Sequence, residues 1–174
     1  MLPSRPVIFI SAVSKELHTT RDLVAKTLLA MGYEPKWQDI APTETGDLRA
    51  VLRKWVNQSH AVLQIVGHRY GHAPKQPDET FGPVSYTQYE ALYAQAKGKK
   101  VWYILLDENH PVDSAEPDPE DLENLQAAYR LQVKSHHGLY HPSYSFDKTE
   151  NIVLKLRDDI GKLRRRARQW AALL

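Results

Sequence analysis

The amino-acid sequence predicts an α/β fold in which a mostly parallel sheet lies between two layers of helices. Short apolar runs alternate with segments of helical periodicity, an order typical of parallel strands joined by right-handed crossovers. The runs Val7–Ile10, Ala61–Val66 and Val101–Leu106 are nearly free of polar residues, which indicates strands that are covered on both faces. We therefore expect a flavodoxin-like three-layer α/β/α arrangement with four or five strands, in the order 2-1-3-4-5.

The first half of the chain supplies two strands and two helices. Val7–Ile10 is followed by apolar residues at helical spacing, and Gly32 is expected to end this first helix as its C-terminal cap. Tyr33–Gln38 is predicted to be the second strand. A polar loop, Asp39–Gly46, leads into a helix that begins near Asp47, because an acidic residue suits the first turn of a helix.

The middle of the chain contains the third strand and a long loop. Ala61–Val66 is the strand, and the loop Gly67–Val84 follows it, where about 2–6 residues are usual in such folds. Ser85 and Gln88 have the spacing of a capping box, so a helix is expected to begin at Ser85. Val101–Leu106 is predicted to be a central strand.

The last third of the chain is predicted to be mainly helical. Asp118 is expected to cap a helix that continues to about Val133. A short strand around Leu139–Tyr140 would lie at the edge of the sheet, because Pro142 argues against a central position. Asp147 is expected to cap a last helix.

The length and composition suggest one domain and exclude several classes of protein. The 174 residues suffice for one domain over residues 1–174, with a core at about 6–133 and a C-terminal helix, 147–174, that could lead to a further domain in a longer natural protein. The absence of cysteine excludes a disulfide framework. No apolar run approaches the roughly 18 residues of a membrane span, and no signal peptide is evident, so a cytoplasmic protein is expected.

Neither nucleic acid nor a metal ion is an expected ligand. The net charge is +2, and the basic segment 162–168 has no interleaved aromatic residues. Two groups of histidines are weak candidates for metal ligands. His68 and His72 have an i, i+4 spacing but lie in a glycine-containing loop. His136, His137 and His141 have no thiols and few acids nearby. Trp37, Trp55 and Trp102 are expected to lie in the core.

The predicted topology places a ligand site at one edge of the sheet. In doubly wound sheets, ligands bind beyond the carboxyl ends of the strands, where the strand order reverses. With the order 2-1-3-4-5, the reversal lies between the first and third strands. The residues expected to converge there are Ser11, Ser14, Asp39, His68, Arg69, Tyr70, Tyr86 and Glu90.

Three motifs connect this layout to a known family. They are FIS at Phe9–Ser11, GHRYG at Gly67–Gly71 and SYTQYE at Ser85–Glu90. Together they resemble a Toll/interleukin-1 receptor (TIR) domain, and most closely a bacterial TIR-like family of unknown function found in multidomain signalling and defence proteins. The resemblance covers about residues 6–133.

The resemblance implies an activity and a mode of assembly. Many TIR domains cleave NAD at the nicotinamide–ribose bond with a glutamate that often lies four residues after an aromatic residue, and Glu90 follows Tyr86 at this spacing. NAD is then a substrate, and no cofactor is expected. The loop Asp39–Gly46 corresponds to the loop through which TIR domains self-associate, so a homo-oligomer is expected, with fused or partner signalling domains.

The chemistry of the residues suits this activity. Loss of nicotinamide gives an oxocarbenium-like transition state, which a carboxylate stabilises. Tyr70 or Tyr86 could stack on a ring, and Arg69 or a helix N-terminus could bind the pyrophosphate. The expected substrate-binding residues are therefore Ser11, Ser14, Asp39, Arg69, Tyr70 and Tyr86. Two alternatives remain: a non-catalytic assembly or adaptor module, and a nucleoside deoxyribosyltransferase-like enzyme, which shares the architecture and a carboxylate nucleophile.

Overall fold

The computed structural model describes residues 5–40, 46–135 and 140–173. Strands and helices alternate through these ranges until two helices follow one another at the end. The strands are β1 (Val7–Ser11), β2 (Glu34–Lys36), β3 (Ala61–Val66), β4 (Lys100–Leu106) and β5 (Tyr140–Ser143). The helices are α1 (Ser14–Ala30), α2 (Arg49–Gln58), α3 (Tyr86–Ala96), α4 (Glu120–Ser135), α5 (Phe146–Lys155) and α6 (Arg157–Ala172).

The five strands form one sheet in the order β2-β1-β3-β4-β5, and every neighbouring pair is parallel. This confirms the predicted flavodoxin-like arrangement and places the reversal of strand order between β1 and β3. In that pair, Ser11 lies opposite Gln64. The last residue of β1 and the fourth residue of β3 therefore place polar side chains next to each other.

Two buried clusters cover the two faces of the sheet. On one face, Leu28 of α1 and Val153 of α5 belong to a cluster with Ile104 of β4. On the other, Ala91 of α3 and Val133 of α4 belong to a second cluster, to which α2 also contributes. Burial on both faces explains why the central strands are continuously apolar in sequence.

The helix starts agree with the sequence in one case and differ in another. The capping box of α3 is confirmed: Gln88 N donates to Ser85 Oγ at 3.1 Å, and Ser85 N donates to Gln88 Oε1 at 3.3 Å. The prediction that Asp147 caps α5 was wrong. Ser145 has an extended backbone just before the helix, so its hydroxyl accepts a hydrogen bond from Lys148 N at 3.1 Å, whereas Asp147 already lies in the first turn.

The remaining differences concern lengths and boundaries. β2 is shorter than the predicted strand Tyr33–Gln38, as suits an edge strand. β5 is an edge strand that contains Pro142, as expected, although Leu139 lies outside the described residues. The predicted single C-terminal helix is two helices with a break at Leu156. Within the described ranges, no helix is long and apolar enough to cross a membrane.

Candidate functional site

Glu90 lies in the second turn of α3 with its carboxylate inside the protein. The capping box at Ser85 fixes where α3 begins, and therefore which way Glu90 faces. The residue is only 2% exposed. Its Oε2 makes a very short hydrogen bond with the hydroxyl of Ser11, the last residue of β1. The two residues predicted to share the strand-reversal point are therefore in direct contact.

A chain of buried hydrogen bonds extends from this pair. Gln64 Nε2 donates to Ser11 Oγ at 3.0 Å and to the carbonyl oxygen of Thr87 at 2.7 Å. Ser11 Oγ itself lies 3.2 Å from the same carbonyl oxygen. The hydroxyl of Tyr129 donates to Gln64 Oε1. Glu90 is thus connected through the sheet to α4.

Burial and polar contacts have opposite effects on the pKa of Glu90. Burial raises the pKa of its carboxyl well above the usual value, against the opposing effects of the Ser11 hydrogen bond and the positive charge of Arg21. Ser11 Oγ donates to Glu90 Oε2, and Gln64 Nε2 donates to Ser11 Oγ. The neutral form of Glu90 is therefore favoured over a wider pH range than in a solvent-exposed glutamate.

Arg21 forms the second part of the site and was missed in the sequence. Its side chain is 3% exposed, and Nη1 lies 2.8 Å from Asp39 Oδ1. The same nitrogen donates to Ser14 Oγ at 2.9 Å, and Ser14 Oγ donates to Asp39 Oδ1 at 3.1 Å. Arg21 follows Ser14 by seven residues, about two helical turns, which was the available signal that both share one face of α1.

Trp37 covers Arg21 and corrects a prediction. Its ring centroid is 5.3 Å from the guanidinium carbon of Arg21. Trp37 is 36% exposed and does not lie in the core, because it follows the short edge strand β2 and covers a charged group there. Trp102 is buried as predicted, and Trp55 packs partly buried against the core.

Arg69 and Tyr70 lie in a different environment, the loop between β3 and α3. Arg69 Nη2 forms an ion pair with Asp118 Oδ1 at 3.0 Å, and Nη1 donates to the carbonyl oxygen of Glu116. Tyr70 N donates to Asp118 Oδ2 at 2.7 Å. The carboxylate predicted to cap α4 therefore binds this loop. The loop is therefore tied to the segment after β4.

A cavity of about 310 Å³ lies beside Arg69. Glu16 is its buried acid, and its carboxylate accepts hydrogen bonds from His68 N at 2.8 Å and Arg69 N at 3.1 Å. The other lining residues include His68, Glu108, His110, Glu116, Asp118 and Glu123. Among the described residues, no group of three or more His, Cys, Asp or Glu side chains is placed to hold a metal ion; His136 and His137 lie outside the described residues.

The predicted site residues therefore fall into three groups. Ser11 with Glu90, and Ser14 with Asp39, are brought together and are linked by the charge of Arg21. Arg69 and His68 line the larger cavity, and Arg69 and Tyr70 also line a small cavity next to Gln64 and Thr87 of the Glu90 network. Tyr86 is 7% exposed and packs between α2 and α3, where its hydroxyl accepts from Leu48 N at 3.4 Å. Of the predicted self-association loop Asp39–Gly46, residues 41–45 lie outside the described residues.

Solved structures show the same architecture. The crystal structure of the RPS4 and RRS1 TIR domain heterodimer matches 89% of this chain and 97% of its own chain, with a TM-score of 0.50 and 13% identity. The TIR domains of the activated Roq1 resistosome, which directly recognizes the pathogen effector XopQ, match 91% of this chain and 82% of their own, with a TM-score of 0.43 and 14% identity. The match to the RPS4 and RRS1 TIR domains shows that the fold is TIR-like.

No curated protein matches the sequence. The family model of a domain of unknown function, DUF4062, matches residues 7–161. This range begins at β1 and continues into α6, so it contains the whole sheet, Glu90 and Arg21. The chain belongs to the DUF4062 family.

Proposed function

We propose that this chain is a TIR-like signalling domain that cleaves NAD at the nicotinamide–ribose bond when it self-associates, with Glu90 as the catalytic carboxylate. The observation that carries the proposal is the placement of Glu90. It is a buried carboxyl group at the reversal of strand order, in contact with Ser11 and under the charge of Arg21. Strongly perturbed carboxyl groups at such positions are typical of functional sites.

The charge of the substrate fits the state of Glu90. The nicotinamide ring of NAD is cationic, and a positive charge close to a carboxyl group favours its ionised form. Binding of NAD would therefore favour the ionised form of Glu90, with any proton released to water. The ionised carboxylate would stabilise the positive charge that develops on the ribose as the C1′–N bond breaks and nicotinamide leaves with the bonding electrons. Water adds to C1′ and releases a proton, which gives ADP-ribose.

Self-association would open the protein so that NAD can reach Glu90. Glu90 is almost inaccessible in this arrangement, so NAD can reach it only if neighbouring segments move. Asp39 stands at the start of the loop that the TIR resemblance assigns to assembly, and it is bonded to Arg21. The TIR domains of RPS4 and RRS1 form a heterodimer, which supports association as a property of the fold.

Nicotinamide release tests the proposal. The wild-type protein, Glu90→Gln and the control Glu150→Gln, which removes an exposed carboxylate on α5, would be incubated with NAD over a range of protein concentrations. We expect release that rises more steeply than linearly with wild-type concentration, is unchanged in Glu150→Gln and falls at least about 100-fold in Glu90→Gln, the scale of losing one electrostatic contribution to a transition state. Undiminished release by Glu90→Gln would refute the catalytic role.

The second candidate function is a non-catalytic TIR-like assembly module. The complete burial of Glu90 and its bond to Ser11 favour it, because a satisfied buried acid needs no substrate. In that case association would be detected by analytical ultracentrifugation in both wild type and Glu90→Gln, and neither would release nicotinamide. A wild-type protein that stays monomeric at high concentration would contradict both candidate functions.

A further inference from the structure

We propose that Arg21 and Ser14 form a phosphate-binding subsite, and that the carboxylate of Asp39 occupies this subsite until a nucleotide displaces it. The inference rests on the proposed function for the identity of the nucleotide, whose diphosphate would bind here while its ribose lies at Glu90. The subsite itself is argued from the contacts of these three side chains.

The first step concerns the burial of Arg21. A guanidinium group keeps its charge at all ordinary pH values and has five N–H donors, so burying it requires an anion and hydrogen-bond acceptors. The side chain of Arg21 is 3% exposed. Its Nε is buried without a hydrogen-bond partner among the described residues. Arg21 therefore has donor capacity that the closed protein does not use.

The second step concerns the position of Asp39. A single oxygen, Oδ1, contacts both Arg21 Nη1 at 2.8 Å and Ser14 Oγ at 3.1 Å. Proteins also bind a phosphate oxygen with an arginine and a hydroxyl group together. The Asp39 side chain is 68% exposed, so an anion from solvent can approach the position that its carboxylate occupies. The carboxylate of Asp39 therefore lies where another anion could displace it.

The third step concerns the helix that carries both residues. Ser14 is the first residue of α1, which has a kink at Leu17 where the backbone leaves helical geometry. The kink separates the first turn, with Ser14, from the part of the helix that carries Arg21, and the two side chains meet through their hydrogen bond at 2.9 Å. Trp37, partly exposed and stacked on Arg21, would limit the solvent around the bound phosphate and strengthen the attraction.

Binding of ADP-ribose, measured by isothermal titration calorimetry, tests the subsite without any need for NAD cleavage. Asp39→Asn removes the competing charge, and we expect it to tighten binding about two- to fivefold. Arg21→Gln should weaken binding about 10- to 100-fold, and Arg21→Lys should fall between Arg21→Gln and the wild type. Lys26→Gln, which removes an exposed cation from the same helix, is the matched control and should bind as the wild type does.

Inorganic pyrophosphate and adenosine separate the contribution of the phosphate from that of the base. Pyrophosphate should bind and respond to both substitutions, whereas adenosine should bind equally weakly to all variants. A gain of affinity in Asp39→Asn cannot arise from misfolding, so this variant keeps the test valid if Arg21→Gln is unstable. Unchanged or weaker binding by Asp39→Asn, or no binding of ADP-ribose by any variant, overturns the subsite.

The outcomes also separate this inference from the proposed function. ADP-ribose binding that tightens in Asp39→Asn, in a protein that releases no nicotinamide from NAD, would support the subsite and reject the enzyme. NAD cleavage with ADP-ribose affinity that is the same in Arg21→Gln and the wild type would support the enzyme and reject the subsite.

Discussion

The carboxyl group of Glu90 is subject to two opposing effects. Burial favours the neutral form, whereas the hydroxyl of Ser11 and the charge of Arg21 favour the ionised form. Burial prevails, so the pKa of Glu90 is raised in the folded protein. In the unfolded chain the same group has an ordinary pKa near 4.5.

This difference predicts a pH-dependent stability that depends on Glu90. The folded protein keeps the proton over a pH range in which the unfolded chain has lost it, so the stabilising contribution is complete below about pH 4.5 and is lost as the pH rises toward the folded pKa. Urea unfolding at pH 5 to 8 should show the wild type losing up to about 1.4 kcal/mol per pH unit relative to Glu90→Gln. Parallel profiles for the two proteins would contradict a neutral Glu90.

Gly67 is a second residue whose identity is set by its surroundings. A Cβ at this position would lie 2.7 Å from Oε1 of Glu16. The Glu16 carboxylate cannot move away easily, because it holds the N–H groups of His68 and Arg69. Because Gly67 has no side chain, the buried Glu16 carboxylate can bind the backbone N–H groups at the start of the long loop.

Gly67→Ala should therefore destabilise the protein by about 1–3 kcal/mol, the usual effect of overpacking. Gly161→Ala is the matched control. It lies in α6, where an added Cβ would meet nothing within 4 Å beyond its own helix, so the higher helix propensity of alanine should stabilise the protein by up to about 1 kcal/mol. Chemical denaturation measures both changes, and equal effects of the two substitutions would show that close packing at Glu16 is not the cause.

At the scale of a single element, α3 sets the position of Glu90 through its first turn. Ser85 and Gln88 bond reciprocally there, and Tyr86 N donates to the carbonyl oxygen of His72 at 2.9 Å. The first part of the long loop is thereby attached to the start of the helix. Glu90 lies within the next turn, so fraying of the first turn would loosen its contact with Ser11.

Ser85→Ala should destabilise the protein by about 1 kcal/mol, the usual effect of losing an N-terminal cap. It should also increase the hydrogen exchange of the first-turn amides of α3, as measured by NMR or mass spectrometry. Ser135→Ala, at the exposed end of α4, should leave α3 unchanged. Protection of α3 that is the same in both variants would mean that packing against α2 holds the helix start without the cap.

At the scale of the whole molecule, Arg130 of α4 connects two central strands. Its Nη1 donates to the carbonyl oxygens of Val66 at 3.2 Å and Gly67 at 3.0 Å, and its Nη2 donates to that of Leu106 at 2.8 Å. These are the last carbonyls of β3 and β4 and the first of the long loop. Arg130 thus satisfies backbone acceptors at the carboxyl edge of the sheet, where the sheet itself offers no further donors.

Arg130→Met keeps the apolar part of the side chain and leaves these carbonyls without the guanidinium group. We expect a loss of about 2–3 kcal/mol, since hydrogen bonds from a charged donor are among the stronger ones. Lys134→Met, exposed on the same helix, should change the stability by no more than about 0.5 kcal/mol. Thermal and urea unfolding measure the difference, and similar values for the two variants would contradict a structural role for Arg130.

The parts of the molecule differ in how far the sequence predicts them. A parallel sheet follows from strands that are almost entirely apolar, because such strands must be covered on both faces; the strand order was assumed from the flavodoxin-like class, and the structure confirms it. The pairing of Ser11 with Glu90 follows from that topology. The path of the loop that carries Arg69 cannot be predicted from the topology, because Asp118, which is distant in sequence, fixes it. Arg21 was missed because a charged residue in a helix usually faces water, and only the tertiary structure shows that this one is enclosed.

The contact between Ser11 and Gln64 also has a consequence for folding accuracy. Sliding β1 against β3 by one residue would turn its side chains to the opposite face of the sheet, and most of the side chains in both strands are apolar. The exception is the pair Ser11 and Gln64, opposite one another and joined at 3.0 Å. A slipped pairing would leave a buried hydroxyl and amide unpaired, at about 1–3 kcal/mol each. We therefore expect these residues of the candidate site to fix the register of β1 against β3. Replacing them with apolar residues should give misaligned strands rather than a more stable protein.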